Sequence, residues 1–135
     1  MAKHLDRARQ LGRMGEHYRD LNEAIDLYNG YIDECIELGT EGSKEIIDGY
    51  GQEIRARQIV IRDEIDRIKK GLPKEEAAFI KYYYYKAFSF SETCKALQVT
   101  QKRGAEIRRS ALAHFDEIQT KEEEKLKRFF RGRAN

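Results

Sequence analysis

Eight apolar residues in the first third of the chain, Leu11, Met14, Tyr18, Leu21, Ile25, Tyr28, Ile32 and Cys35, are spaced 3, 4, 3, 4, 3, 4, 3. A seven-residue repeat held this long puts one apolar stripe on a helix, and the stripe must be covered by another helix. A second stripe follows in Ile47, Ile54, Ile61, Ile65, Ile68 and Leu72, with Arg55, Arg57, Arg62, Asp63, Glu64, Asp66, Arg67 and Lys69 as its wet face. Between the stripes, the segment Gly39 to Lys44 holds two glycines in six residues, which suits a left-handed cap and a turn. Two helices of similar length with a short connector predict an antiparallel hairpin. A homodimeric coiled coil would use the same stripes; the short connector favours the hairpin. Each glycine in a helix interior costs about 1 kcal/mol. Gly49-Tyr50-Gly51 therefore predicts a kink in the second helix, or a start at Gln52.

A different pattern begins after Gly71-Leu72-Pro73. Gly71 is expected to cap the second helix with a positive φ, and Pro73 suits a first helical turn. A helix is predicted over roughly 74–86, with Glu75 and Glu76 at its positive end and Phe79, Ile80 and Tyr83 or Tyr84 facing inward. The run Tyr82 to Tyr85 cannot all be buried, because successive helical residues point about 100° apart. Either one or two of these tyrosines pack with the phenol at the rim, or an exposed pair forms a docking surface; packing is favoured.

The stretch Phe88 to Phe115 reads as two helices joined by a tight turn. Ser91 is expected to cap the first, whose apolar positions are Thr93, Cys94 and Leu97. Gln98 and Val99 make the turn, with Val99 as its buried plug. Thr100 caps the second helix by accepting from the Arg103 amide. Ile107, Ala111, Leu112 and Phe115 then point inward, while Gln101, Lys102, Arg103, Ala105, Glu106 and Arg109 lie on the opening face. Two helices with this spacing, the second opening on Gln, Lys and Arg, have the build of a helix-turn-helix DNA reader. Arg108 is expected to angle away into solvent or toward the backbone edge. From Thr120 the helix should continue and fray near Phe129 to Arg133.

Charge distribution bears on that reading more than net charge does. The balance is only +2, yet Gln101 to Arg109 holds four bases and one acid, and Gln119 to Asn135 six bases and three acids. Glu16 to Leu38 holds seven acids and one base. The negative charge is thus concentrated in the first helix and not on the reading helix. Cys35 and Cys94 form no CxxC pair and read as small apolar filler in a reducing compartment. His4, His17 and His114 are scattered, so no metal or other cofactor is expected. No nucleophile–base pair and no Gly-rich phosphate loop suggest an enzyme. There is no run of about 18 apolar residues and no secretory signal before Leu5, which predicts a cytoplasmic protein with no membrane partner.

The segment Leu72 to Phe115 resembles region 4 of sigma-70-family factors, which recognises the −35 promoter element. Leu72-Pro73, Glu76, Phe79-Ile80 and Tyr82 to Tyr84 match that family's opening helix. Phe88-Ser89-Phe90-Ser91-Glu92 matches the start of its first reader helix, Leu97, Val99 and Thr100 its turn, and Arg103, Ile107 and Ala111-Leu112 its second helix. The match is ungapped and covers about a third of the chain. Gln98 replaces the family's turn glycine, Thr93-Cys94 its usual Ile-Ala, and Gly104 stands at an apolar core position. Gly104 thereby leaves a contact unfilled, and Gly104→Ala is expected to raise stability by roughly 0.5–1 kcal/mol; the alternative is that Gly104 permits close approach of another helix or of the DNA backbone, where Ala would clash. No region 2 accompanies the match, so this is not a complete sigma factor. A helical front half with one such module is similar to the ArpU/RinA-type regulators of Gram-positive phages and prophages.

The expected fold is all-α. Residues 1–71 form the helical hairpin, 72–118 the sigma region 4-like helix-turn-helix, and 119–135 a charged helical tail. The resemblance implies binding to double-stranded DNA in a bacterial host cell, with RNA polymerase as a further contact and homo-oligomerisation through the N-terminal helices as an option. Thr100, Gln101, Lys102, Arg103, Glu106 and Arg109 are the candidate DNA-binding residues. By position, Gln101, Lys102 and Glu106 would read base edges and Arg103 would hold phosphate; Glu106 serves equally as an ion-pair partner for Lys102. A phage DNA-packaging protein of the small-terminase kind, and a protein–protein adapter that has lost DNA binding, are the alternative functions.

Overall fold

The structure is a computed structural model describing residues 2–39 and 44–134, so the connector's residues 40–43 lie outside the described residues. The chain forms helix α1 (Ala2–Leu38), α2 (Lys44–Gly71), α3 (Lys74–Ile80) with a π-helical turn over Lys81–Tyr85, α4 (Phe90–Leu97) and α5 (Gln101–Ala134). Among the described residues there is no strand, and no helix is long and apolar enough to cross a membrane.

The apolar stripes of α1 and α2 face each other. Tyr28 lies against Gly51, while His17 and Leu21 share a groove with Val60, Ile61 and Glu64, so residue numbers rise along one helix as they fall along the other. Glycine propensity is overridden at this contact. Helix α2 runs through Gly49 and Gly51 without a break. A Cβ on Gly51 would collide with the Tyr28 phenol, so the missing side chain lets the helices approach. Gly39 takes the expected positive φ, 64°. Gly71 does not: it is the last residue of α2, and a Cβ there would meet the Ile118 side chain of α5. Pro73 stands just before α3 as its N-cap, and its carbonyl accepts from the Ala77 amide at 2.9 Å.

The main core cluster takes residues from α1, α2, α3, the π-helical turn and α5, with Cys94 of α4 also buried. Leu11 and Met14 of α1 and Ile68 of α2 pack in one cluster with Leu72, Phe79, Ile80, Tyr84, Tyr85, Ile107, Ala111, Leu112 and Phe115. Phe90, Leu97 and Val99 border it. Buried Leu11 thus sits in the same interior as Phe79 and Phe115, and the hydrophobic interior does not divide at residue 72.

The π-helical turn is where the tyrosine run finds its packing. Its wider turn rotates the following residues relative to an α-helix, and Tyr84 and Tyr85 both become buried while Tyr82 and Tyr83 stay half-exposed. Of the two expected candidates, Tyr84 and not Tyr83 is the buried one, and Tyr85 joins it. Burial pushes the Tyr85 phenol well above its ordinary pKa. Ala87 then takes a left-handed φ of 57°, turning the chain toward α4. Carbonyls at a helix end need outside donors. Arg19 of α1 supplies them, donating through Nη1 to Tyr84 O at 2.7 Å and Tyr85 O at 3.1 Å. Gly15 permits this approach, since a Cβ there would collide with the Tyr84 carbonyl.

A second polar tie joins α1 to α5. Arg7, only 9 % exposed, donates to Asp116 and Glu123 at 2.8 Å each and to Gln10 at 2.9 Å. The hydrogen bond to Glu123 is the main cause that raises the Arg7 pKa, and it holds the Glu123 carboxyl below its ordinary value. Helix α5 continues as helix to Ala134, where fraying was expected from Phe129 onward.

Candidate nucleic-acid interface

Ser89, not Ser91, caps α4. The Ser89 hydroxyl accepts from the Glu92 amide at 3.1 Å, and the Glu92 carboxyl accepts from the Ser89 amide at 3.1 Å. This reciprocal box satisfies two otherwise unpaired amides. It also holds the Glu92 carboxyl below its ordinary pKa. The signal was present in the sequence as Ser followed by Glu three residues later. Thr93 is fully buried and its hydroxyl donates to the Ser89 carbonyl at 2.9 Å, so it packs at its expected inward position without stranding its polar group.

Gln98 closes α4 in a left-handed conformation, φ 57° and ψ 44°. A non-glycine residue thereby does the work of a turn glycine. Its amide and the cap backbone satisfy the helix end, with the Val99 amide donating to the Cys94 carbonyl at 3.0 Å. Thr100 Oγ1 accepts from the Arg103 amide at 3.1 Å and starts α5 as expected.

Helix α4 packs against α5 at Gly104. The residue is buried, and a Cβ there would collide with Cys94 Sγ and lie 3.3 Å from the Phe90 ring. The expectation of an unfilled contact is therefore corrected: Phe90 and Cys94 already fill that space. Ile107, Ala111, Leu112 and Phe115 are buried on the inner face, which fixes the rotation of α5.

That rotation leaves Thr100, Gln101, Lys102, Arg103, Glu106 and Arg109 exposed on the first turns of α5, with Ala105 half-exposed. Arg103 is engaged on both sides. Its Nη2 lies 3.0 Å from Glu75 of α3 and its Nη1 3.3 Å from Glu106. These two partners, Glu106 first, raise the Arg103 pKa. Glu106 pairs with Arg103 three residues back and not with Lys102. Among the described residues, Lys102 and Arg109 form no ion pair, so both cations face outward. Arg108, expected in solvent or at the backbone edge, is half-buried, with its guanidinium 5.0 Å from the Tyr83 ring centre.

A further pair was not visible in the sequence. Glu76 is 5 % exposed, and its Oε1 lies 2.7 Å from His114 Nδ1. The hydrogen bond to Glu76 raises the His114 pKa above its ordinary 6.5. The partners are separated by 38 positions, and only tertiary packing brings them together.

The exposed set holds an amide, a lysine, a carboxylate and two arginines. Compared with family models, with curated proteins and with solved structures, the chain matches none.

Proposed function

We propose that this chain is a DNA-binding transcription regulator, encoded by a phage or prophage, that reads a promoter-like site with the first turns of α5. In this reading α1 and α2 are the hairpin used for self-association or partner binding. The segment 72–118 is a sigma region 4-like helix-turn-helix that also touches RNA polymerase. One observation carries the proposal. A capped α4, a left-handed turn and a capped α5 leave Gln101, Lys102, Arg103, Glu106 and Arg109 exposed on the first turns of α5. Recognition helices place their N-terminal residues in the major groove in this way. Gln101 would pair with adenine, Lys102 would donate to guanine and Glu106 would accept from cytosine. Arg103, held in place by Glu75 and Glu106, would exchange one carboxylate for a backbone phosphate.

The test is selection of bound duplexes from random DNA, followed by titration with Lys102→Ala/Arg103→Ala. Specific binding should be lost while helicity by circular dichroism stays that of the parent. Unchanged affinity would remove the reading face from this surface. The two carboxylates around Arg103 favour a second reading, an adapter that keeps the fold and binds protein. Absence of any DNA binding at low salt would select it.

A further inference from the structure

Two apolar stripes are exposed in surroundings of opposite charge. On α5, Leu126, Phe129 and Phe130 are 48 %, 54 % and 63 % exposed and follow i, i+3, i+4 spacing, so they share one face. Lys125, Lys127, Arg128 and Arg131 flank them and are exposed. On α1, Leu27 and Tyr31 are 65 % and 59 % exposed and border a shallow notch over Gly30. Glu23, Asp26 and Glu34 form its rim. No heavy atom lies within 4 Å of where a Gly30 Cβ would stand, so the notch is open.

The two stripes cannot meet within one molecule. Arg7 is bonded to Asp116 and Glu123, whereas Gly15 abuts Tyr84, whose neighbour Tyr83 carries Arg108. Helix α1 therefore leads away from the far end of α5. Leu27 lies a further 12 residues beyond Gly15, about 18 Å along the helix at 1.5 Å per residue. Each stripe nevertheless has its complement on the other. The acid-rich stretch Glu16 to Leu38 carries seven acids and one base, and Gln119 to Asn135 six bases and three acids. A second copy of the chain supplies both complements at equal concentration.

We infer that this chain self-associates, with Leu126, Phe129 and Phe130 of one copy seated over the Gly30 notch of another. The phenyl rings pack between Leu27 and Tyr31, and the flanking Lys and Arg residues face Glu23, Asp26 and Glu34. One such contact is small against the roughly 1,000 Å² of a specific interface. Two copies arranged head to tail about a two-fold axis make the contact twice and close the assembly. This surface is separate from the α5 reading face, and the inference does not depend on DNA binding.

Sedimentation and light scattering of the full chain near 100 µM test it. A dimer is expected at low salt, weakening as salt rises. Phe129→Ser/Phe130→Ser and Leu27→Ser/Tyr31→Ser should each weaken self-association about tenfold or more, with unchanged helicity because all four residues are exposed. Glu23→Arg/Glu34→Arg should do the same, and combining it with Arg128→Glu/Arg131→Glu in one chain should restore the dimer. A monomer under all conditions would overturn the inference. So would self-association that survives either apolar variant, or a charge reversal that the second reversal does not rescue. Loss of DNA affinity in the Phe129→Ser/Phe130→Ser variant of a monomeric parent would assign the stripe to nucleic acid instead.

Discussion

At Gly104 the absence of a side chain sets how closely two helices pack. Sequence propensity alone marks the residue as a weak point in α5, and it argues for alanine. The structure reverses the sign, because Cys94 Sγ and the Phe90 ring occupy the space a methyl would need. Overpacking a filled site costs about 1–3 kcal/mol. Gly104→Ala should therefore lower stability by that amount in urea denaturation; an increase would show that α4 can move aside. His114 gives a second residue-scale expectation. Its pKa is raised in the folded state by Glu76. The stabilisation from this pair is fully present below the ordinary histidine value near 6.5 and is lost as pH rises through the folded value. Stability against pH should thus decline across that window, and His114→Gln should flatten the decline. An unchanged slope in the variant would assign the pH dependence to other groups. At this scale the sequence showed the Thr100 cap and the inward set Ile107, Ala111, Leu112 and Phe115, because both are set by short spacing. The glycine contacts and the Glu76–His114 pair depend on distant partners, which no local pattern encodes.

Among the elements, α1 is the one whose role differs most from its sequence pattern. Its apolar repeat points to pairing with α2, and Tyr28 against Gly51 is such a contact. The same helix also uses polar side chains that the repeat does not mark. Arg19 satisfies the carbonyls of Tyr84 and Tyr85, and Arg7 joins Asp116 and Glu123. Hydrogen bonds to charged groups contribute about 1.5–3 kcal/mol each, less where a partner is solvated. Glu123 is half-exposed, so Arg7→Met should destabilise by about 1–3 kcal/mol in chemical denaturation. DNA affinity should be preserved, because Arg7 binds Asp116 and Glu123, away from the proposed reading face at the start of α5. No change in stability would mean that water replaces the pair at no cost. The π-helical turn also escaped the sequence. Four tyrosines in a row suit any helical register, and only packing of Tyr84 and Tyr85 against α1 and the core selects the wider turn.

For the whole molecule, the shared core matters most. An apolar repeat followed by a reader-like segment suggests two units, each with its own interior. Leu11 in contact with the core of 72–115 predicts coupling instead. Leu11→Ala removes a fully buried side chain and should cost about 2–5 kcal/mol. Far-ultraviolet circular dichroism and tyrosine fluorescence should report one coincident unfolding transition in that variant and in the parent. Two separated transitions would restore independent units. The all-helical class was readable from the repeats near 3.5 residues in the first two stripes and from the caps and turn of the later segments. The merging of the core was not, because Leu11 and Met14 belong to the α1 stripe by spacing and to the common interior by position. The proposed function rests on duplex reading by the exposed start of α5. Its most direct measurement is the salt dependence and sequence enrichment of binding by the full chain to a random duplex pool. The account predicts enrichment of one short motif, bound with log affinity falling linearly in log salt, and loss of that enrichment in Gln101→Ala/Lys102→Ala. A pool that shows neither enrichment nor salt-dependent binding at low ionic strength would contradict it.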